Sequence, residues 1–426
     1  MTQSNAKWSL FQKISFRFIF IYFGLYISTF YISYIPYTTS FVRWLTYNIQ
    51  SIPVWVADKF MGIKITVFPN GSGDTTYNYV EVLTFFMLAV IAVIIWSVID
   101  KRRANYKRLL LFFSIYVCYY VAINMFSYGF SKIFYLQFSA PSLSRLLQPY
   151  GSSSPMGIAW VFMGASKTYT MFSGFAEVLG GLLLLHRRTR TFGALTVFCV
   201  MLNVFMMNMS YDIPVKLFSF HLMIMMLFVS LLGYKRIVNL FGLKKALQIT
   251  PPVSKYFKNR RMSLSTWVLK LIFLSYSTYV VIDNNLSYAN QTYNSPKPIL
   301  YGIYDVDTYV LNKDTIPPLL TDKIRWKKII SDGKWFSDYI IVKGMNDQTT
   351  WYKQDIDTIN NTLEMVSTRD STNVYNFHYI KKDSVLSFKG LWNQDSVEIK
   401  MKEFDLKKFR LTNRGFHWIN EYPYNR

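Results

Sequence analysis

The sequence contains few residues of the types that build most metal and thiol centres. Of its 426 residues, two are cysteine and four are histidine. Cys118 and Cys199 each stand alone inside an apolar run, without a CxxC pair or a Cys/His cluster, and His186 and His221 fall at different predicted depths. These spacings argue against a thiol relay, a structural zinc site and a haem held by two histidines. No metal or haem ligand set is therefore predicted.

Acidic residues are also scarce. The chain has 24 Asp and Glu against 47 Lys and Arg, for a formal net charge of +23. Before Asn284 there are 7 acids and 27 basic residues, so most of the excess lies in that part. The basic residues fall in short segments between apolar runs, with no long basic tract and no nucleic-acid-binding motif. Membrane topology explains the charge, and no nucleic-acid partner is expected.

Long apolar runs dominate residues 1–283. The chain is 51% hydrophobic and 18% aromatic, and these residues cluster in runs that end about two-thirds of the way along. Runs of this length cross a bilayer as helices, so the lipid bilayer is an expected partner. The predicted fold is a polytopic α-helical membrane bundle of about seven spans. The predicted spans are Phe18–Ile35, Val80–Val98, Leu109–Tyr128, Tyr169–Leu185, Phe192–Met209, Leu217–Leu232 and Leu264–Ile282.

The positive charges predict the orientation of these spans. Nineteen Lys and Arg lie in one alternating set of connections, formed by the amino terminus, Lys101–Arg108, Arg187–Arg190 and Lys235–Arg261. The other short connections carry seven. Because basic loops stay in the cytoplasm, we expect a cytoplasmic amino terminus and an extracytoplasmic tail, in a bacterial inner (plasma) membrane. The first run has no small-residue cleavage site, which predicts an uncleaved signal-anchor.

Three further segments are predicted to meet the membrane surface. Phe41–Gly62 is apolar and carries Trp44 and Trp55, as expected for helices on the outer leaflet. Gly157–Ala165 is apolar and suits a segment that dips into the bilayer. Arg236–Leu247 mixes apolar and basic residues at helical spacing, which favours a helix held to anionic lipid over one that docks a partner protein.

The charged residues inside the apolar runs are the strongest functional candidates. Glu177 is the single charge in YTMFSGFAEVLGGLLLL, and it shares a helical face with small residues that allow another helix to approach. Asn203 and His221 fall at a similar depth on the next two spans, and Lys270 lies somewhat lower on the last. The predicted intramembrane polar site consists of Glu177, Asn203, His221 and Lys270. A second predicted cluster, at the outer ends of the helices, contains Lys132, Asp212 and Lys216.

Part of this region resembles a known family. The matching segments are YGFSKIF at Tyr128–Phe134, GFAEVLGGLLLLHRRTR at Gly174–Arg190 and YDIPVK at Tyr211–Lys216. They resemble the DoxX/DoxD-like bacterial membrane proteins over about residues 110–232, the four-helix core of that family. Characterised relatives are membrane subunits of quinone-linked oxidoreductases. The resemblance thus implies a four-helix core and a quinone as cofactor or redox partner.

Beyond Ile282 the periodicity of the sequence changes from that of helices to two. Residues 284–298 are predicted to be a polar linker, and residues 299–426 an extracytoplasmic β domain of no recognised family. Tyr304, Val306, Thr308 and Val310 fall on one face of a strand that places Tyr309 on the other, and Val397, Ile399 and Met401 alternate with charged residues. Seven or eight such strands suit a small antiparallel barrel or sandwich. The clearest are Leu363–Thr368, Val374–Lys381, Val385–Trp392 and Ser396–Lys402, with turns at Arg369–Asn373 and Asn393–Asp395.

The carboxyl-terminal segment RGFHWINEYPYNR brings Arg414, His417 and Glu421 close in sequence. No nucleophile stands at a spacing that would complete a triad. We expect this aromatic segment to pack onto the β domain and not to act in catalysis.

Two classes of function follow. In the first, the protein is a membrane redox component, in which Glu177 and His221 exchange protons and Lys132 orients the polar head of a quinone-like molecule. In the second, the same groups are internal hydrogen bonds, and the protein is a non-enzymatic scaffold or assembly factor whose β domain binds an envelope partner. For the individual residues the hydrogen-bonding role is favoured, and whether the protein is an enzyme is left open.

Overall fold

The chain forms two compact units. The computed structural model describes residues 7–28, 30, 37–67, 70–238, 260–294, 296–333 and 337–425. Residues 1–137 and 168–285 make up the helical unit, and residues 138–167 and 286–426 make up the β unit. Residues 29 and 31–35 of the first predicted span, and residues 239–247 of the predicted lipid-facing helix, lie outside the described residues.

Long helices form most of the helical unit. Five described helices, α1, α3, α4, α7 and α8, are long and apolar enough to cross a membrane, and α9 is an apolar helix of 17 residues. The predicted last span lies inside α11, which continues to Tyr293 and so includes the first part of the predicted linker. A helical region with five apolar helices of membrane-spanning length is confirmed, and the count of seven spans stays a prediction. In chain order the helices are α1 (Leu10–Ile27), α2 (Thr39–Val56), α3 (Thr76–Ile99), α4 (Lys107–Ile133), α5 (Leu143–Leu146), α6 (Pro155–Ala165), α7 (Lys167–Leu185), α8 (Arg190–Ser210), α9 (Lys216–Leu232), α10 (Tyr234–Val238), α11 (Arg260–Tyr293) and α12 (Arg410–Asn413).

The helical unit packs around an apolar core shared by α1, α4, α8 and α9. Phe23, Val117, Val197 and Leu222 are among the buried members of this core. Near the start of α1, Arg17 is only 2% exposed and donates hydrogen bonds to the hydroxyl of Tyr106, the hydroxyl of Ser97 and the carbonyl of Asp100. A buried arginine is tolerated when acceptors surround its guanidinium, and these bonds join α1 to the end of α3 and to the segment between α3 and α4.

The β unit contains a closed antiparallel barrel. Eight strands, β1 and β3 to β9, follow one another around it, and β1 pairs with both β3 and β9, so no sheet edge remains open. The two-residue strand β2 pairs with β1 alone. The predicted barrel is confirmed, and the alternative of a sandwich is excluded. The strands are β1 (Gly302–Leu311), β2 (Asp314–Thr315), β3 (Trp326–Ser331), β4 (Tyr339–Gly344), β5 (Thr349–Asp357), β6 (Thr362–Ser367), β7 (Val374–Lys382), β8 (Val385–Trp392) and β9 (Asp395–Glu403).

Asparagine and aspartate close the hairpins of the barrel. Asn393 and Gln394 form the two-residue loop between β8 and β9, with φ of 52° and 74°. Two consecutive positive φ angles are those of a type I′ turn, which matches the twist of the flanking strands. The predicted turns at Arg369–Asn373 and Asn393–Asp395 are confirmed, since both separate paired strands.

The barrel interior follows the predicted alternation on β9 but not throughout β1. Val397, Ile399 and Met401 are buried as predicted. Tyr309, predicted on the opposite face from Tyr304, is also fully buried. The pairing of β1 with β9 shifts register between Val306 and Thr308, and such a bulge reverses the faces of the residues that follow it.

The segment of residues 138–167 belongs to the β unit, a grouping that the sequence did not predict. Leu143 in α5 is 5% exposed and shares a small apolar cluster with Ile303, Ile330 and Ile341 of the barrel. Its neighbour Ser144 donates its backbone N–H to Oδ2 of Asp332 at 3.3 Å. These contacts attach the loop to the outer surface of the barrel.

The carboxyl-terminal aromatic segment does not pack as predicted. Phe416 is 76% exposed and Trp418 is 91% exposed. Their rings pack on each other with centroids 5.0 Å apart. Arg414 donates to the side chain of Asn420 at 2.7 Å instead of joining His417 and Glu421 in a polar group. The described residues therefore supply no buried setting for the catalytic role considered for this segment.

Candidate functional site

Glu177 forms a buried ion pair with Lys132. The ammonium nitrogen of Lys132 lies 2.8 Å from Oε1 and 2.7 Å from Oε2 of the carboxylate. The two side chains are 7% and 4% exposed. The ring of Tyr128, one helical turn before the lysine, lies 5.6 Å from the same nitrogen. An acid and a base that are both removed from water thus satisfy each other.

Two glycines bring the helices of this pair together. A Cβ added to Gly174 in α7 would lie 2.5 Å from the carbonyl oxygen of Gly129 in α4 and 2.9 Å from Cβ of Lys132. Each charged residue follows its glycine by three positions, so the backbones touch at the glycines and the charges meet on the adjoining face. The matching spacings Gly-x-x-Lys and Gly-x-x-Glu are the sequence signal that would have identified Lys132 as the partner of Glu177.

His221 occupies a separate polar site between α1 and α9. Its Nδ1 lies 2.6 Å from the carbonyl oxygen of Leu217, and its Nε2 lies 2.7 Å from the hydroxyl of Tyr22. A carbonyl can only accept, so Nδ1 donates; in the neutral ring Nε2 then accepts from the tyrosine. The ring of Tyr26 stacks on the imidazole with centroids 4.1 Å apart and an interplanar angle of 7°. Neither tyrosine was predicted as a partner of His221, because tyrosine has no distinguishing pattern in a span so rich in aromatic residues.

The four predicted intramembrane residues do not form one site. Asn203 is exposed on α8, and the buried amide of that helix is Asn208, which donates to the hydroxyl of Ser219 at 3.0 Å. Lys270 in α11 donates to the carbonyl oxygen of Leu185 at 3.2 Å. A similar predicted depth along neighbouring helices does not determine which way each side chain points.

The predicted outer cluster is also divided, because Lys132 pairs with Glu177. Asp212 and Lys216 do form an ion pair, at 2.9 Å. Asp74, which was not predicted, accepts the backbone N–H groups of Lys216 and Leu217 at 2.7 and 2.9 Å and so caps the start of α9. The hydrogen bond from Lys216, followed by its charge, lowers the pKa of the Asp212 carboxyl. This cluster closes a helix end at the surface.

Among the described residues no group of three or more His, Cys, Asp or Glu side chains is placed to hold a metal ion.

Comparison with known proteins identifies a relative of this chain but no activity. No protein-family model and no solved structure matches the chain. The uncharacterised protein YwoB of Bacillus subtilis (strain 168) is 32% identical over 124 residues, which are 29% of this chain and 77% of YwoB. The chain belongs to the family of YwoB. Since YwoB is itself uncharacterised, membership of the YwoB family assigns no reaction to the ion pair or to His221.

Proposed function

We propose that the chain is a multi-spanning membrane scaffold, similar in its helical core to DoxX/DoxD-like proteins, that displays its barrel outside a bacterial inner membrane as a binding domain. The observation that carries this proposal is the ion pair of Lys132 and Glu177. Both carboxylate oxygens already accept from one ammonium group in a site closed to solvent. An ion pair of this kind links two helices and needs neither a substrate nor a proton acceptor to be stable.

The hydrogen bonds of His221 support the same proposal. A joint exchange of protons between Glu177 and His221 requires contact or a chain of donors between them. Each has its own partners instead, Lys132 for the acid and Tyr22 with Leu217 for the imidazole. Groups that are satisfied locally act as hydrogen bonds that hold a bundle together. The charge distribution of the loops supports display of the barrel outside the membrane.

A second candidate function is a membrane redox component that takes a quinone. The observation that favours it is the hydrogen bond of 2.7 Å between Tyr22 and His221, because the Tyr22 hydroxyl is a donor that could turn from Nε2 to the carbonyl oxygen of a quinone. The fit is partial, since Tyr26 already covers one face of the imidazole. We therefore place this candidate second.

Analysis of the lipids that remain with the purified full-length protein separates the two functions. The scaffold is expected to carry no stoichiometric quinone. The double variant Lys132→Met with Glu177→Leu should restore the wild-type phenotype in a deletion strain, because it replaces an ion pair by apolar contacts. If quinone co-purifies with the wild type in an amount equal to that of the protein, and is lost in Tyr22→Phe, the redox function is supported and the scaffold proposal is refuted.

A further inference from the structure

The β unit contains a cavity beside the barrel. Its volume is about 580 Å³, which lies in the range of sites for small ligands. All of its lining residues belong to the β unit: they come from the loop of residues 139–161, from residues 292–301 and from residues 332–333. Trp160 and Met156 are among the residues that supply apolar surface, and hydroxyl groups and charged side chains supply polar surface.

Positive charge exceeds negative charge in this cavity. Arg145 and Lys297 line it together with a single acid, Asp332. The acid is 5% exposed, and its two oxygens already accept from the backbone N–H groups of Ser144 and Gly333, at 3.3 and 2.9 Å. Within the described part of the chain, Arg145 hydrogen-bonds the neutral side chain of Gln148 and forms no ion pair. Lys297 likewise forms no ion pair with any residue that the structure describes.

The guanidinium of Arg145 lies at the amino-terminal end of α6. A Cβ added to Gly157 would lie 3.1 Å from its Nη1 and 3.2 Å from its Nη2, so the absence of a side chain there makes room for it. Ser154 caps this helix by accepting the N–H of Gly157 at 3.1 Å. The first turn of a helix carries partial positive charge, which makes it a poor neighbour for a cation and a good one for an anion. An anion in contact with both the guanidinium and the first turn of α6 would offset the repulsion between them.

Two hydroxyl groups extend the same arrangement. Thr292 is 7% exposed, and its buried Oγ1 has no hydrogen-bond partner among the described residues, which is unfavourable unless a ligand or water supplies one. Burial, with a smaller contribution from the charge of Asp332, raises the pKa of the Tyr301 phenol. That phenol therefore stays protonated at neutral pH and can donate a hydrogen bond. The ammonium of Lys297 lies 4.2 Å from the centroid of the same ring.

We propose that this cavity binds a phosphate ester, whose phosphate meets Arg145, Lys297 and the amino-terminal end of α6 while its organic part lies against Trp160. The planar donors of an arginine and the point charge of a lysine suit the several oxygens of a phosphate group. The proposal rests on the proposed function of the barrel as a binding domain. A soluble phosphate ester and the headgroup of an anionic phospholipid present the same chemistry.

The test uses full-length protein in detergent and in lipid nanodiscs. Glycerol 3-phosphate is titrated by calorimetry, and phosphatidylglycerol retained by the protein is measured by native mass spectrometry. Arg145→Gln should weaken binding of the active probe at least tenfold, and the matched charge change Lys382→Gln, on the exposed end of β7, should leave it unchanged. Binding of the soluble ester identifies a free ligand, and retention of the lipid alone identifies a headgroup.

Two further variants, neither of which changes the charge of the protein, test whether weaker binding by Arg145→Gln results from a folding defect. Gly157→Ala displaces the guanidinium, and Thr292→Val removes the unpaired hydroxyl at nearly constant volume. Both should weaken binding without lowering the melting temperature of the ligand-free protein by more than the control does. Binding of neither probe, or equal binding by wild type and all three variants, would overturn the phosphate site. The scaffold proposal would survive that result, because it is tested by the ion pair and the bound quinone.

Discussion

Removing one member of the Lys132–Glu177 pair should destabilise the helical unit much more than removing both. In Glu177→Leu the ammonium of Lys132 loses the two hydrogen bonds that it donates to the carboxylate, and in Lys132→Met the carboxylate loses that cation. Breaking a buried pair from one side costs about 3–5 kcal/mol, because an uncompensated charge is left in an apolar site. Either group can neutralise itself when it is left alone, the amine by losing a proton and the carboxylate by gaining one, so we expect about 3–5 kcal/mol for each single variant.

The double variant Lys132→Met with Glu177→Leu should regain most of this loss. Replacement of a buried ion pair by apolar residues of similar volume is often neutral or stabilising. We therefore expect the double variant to lie within about 1 kcal/mol of the wild type. The resulting coupling energy of several kcal/mol is the signature of a closed pair, since pairs that remain in water couple by about 1 kcal/mol or less.

The wild type, the two single variants and the double variant form a double-mutant cycle. Their free energies of unfolding are measured by denaturant unfolding of full-length protein in mixed micelles. The matched control is the pair of Asp212 and Lys216, at nearly the same distance of 2.9 Å but with side chains 86% and 21% exposed. Its coupling energy should be about 1 kcal/mol or less. If the two cycles give equal coupling energies, or if the double variant is as unstable as the worse single variant, the ion pair is not the link that we describe.

Three other predictions concern the helix contact, the attached loop and the topology. Gly174→Ala should cost about 1–3 kcal/mol in the same unfolding assay because its Cβ meets the backbone of α4, whereas Gly24→Ala, with no atom within 4 Å, should cost nothing. Leu143→Ala should lower the stability of the β unit by about 2–5 kcal/mol, measured as loss of barrel protection in hydrogen exchange, and unchanged protection would contradict the docking of the loop. An impermeant thiol reagent applied to intact spheroplasts should label Lys382→Cys but not Arg102→Cys, and the reverse pattern would invert the topology.

The elements of both units could be predicted from the sequence because the signals for them are local. A helix needs a long apolar run, and a strand needs alternation over a few residues bounded by turn formers. The loop at Asn393 and Gln394 illustrates this, since its two consecutive positive φ angles suit asparagine and fix the register of β8 and β9. The number and regular spacing of such strands predicted a small barrel or sandwich, and the pairing of β1 with β9 in the tertiary structure decided for the closed barrel.

Partners and facing directions were decided by the tertiary structure. Glu177 was predicted to face another helix, but its partner depends on where two glycines let α4 and α7 touch, a contact between residues 45 positions apart. The face of Tyr309 depends on one extra residue in the pairing of β1 with β9. The cavity near Arg145 requires residues 138–167 to attach to strands that are formed much later in the chain. Contacts of this kind are selected by packing between distant segments, and no local period of the sequence encodes them.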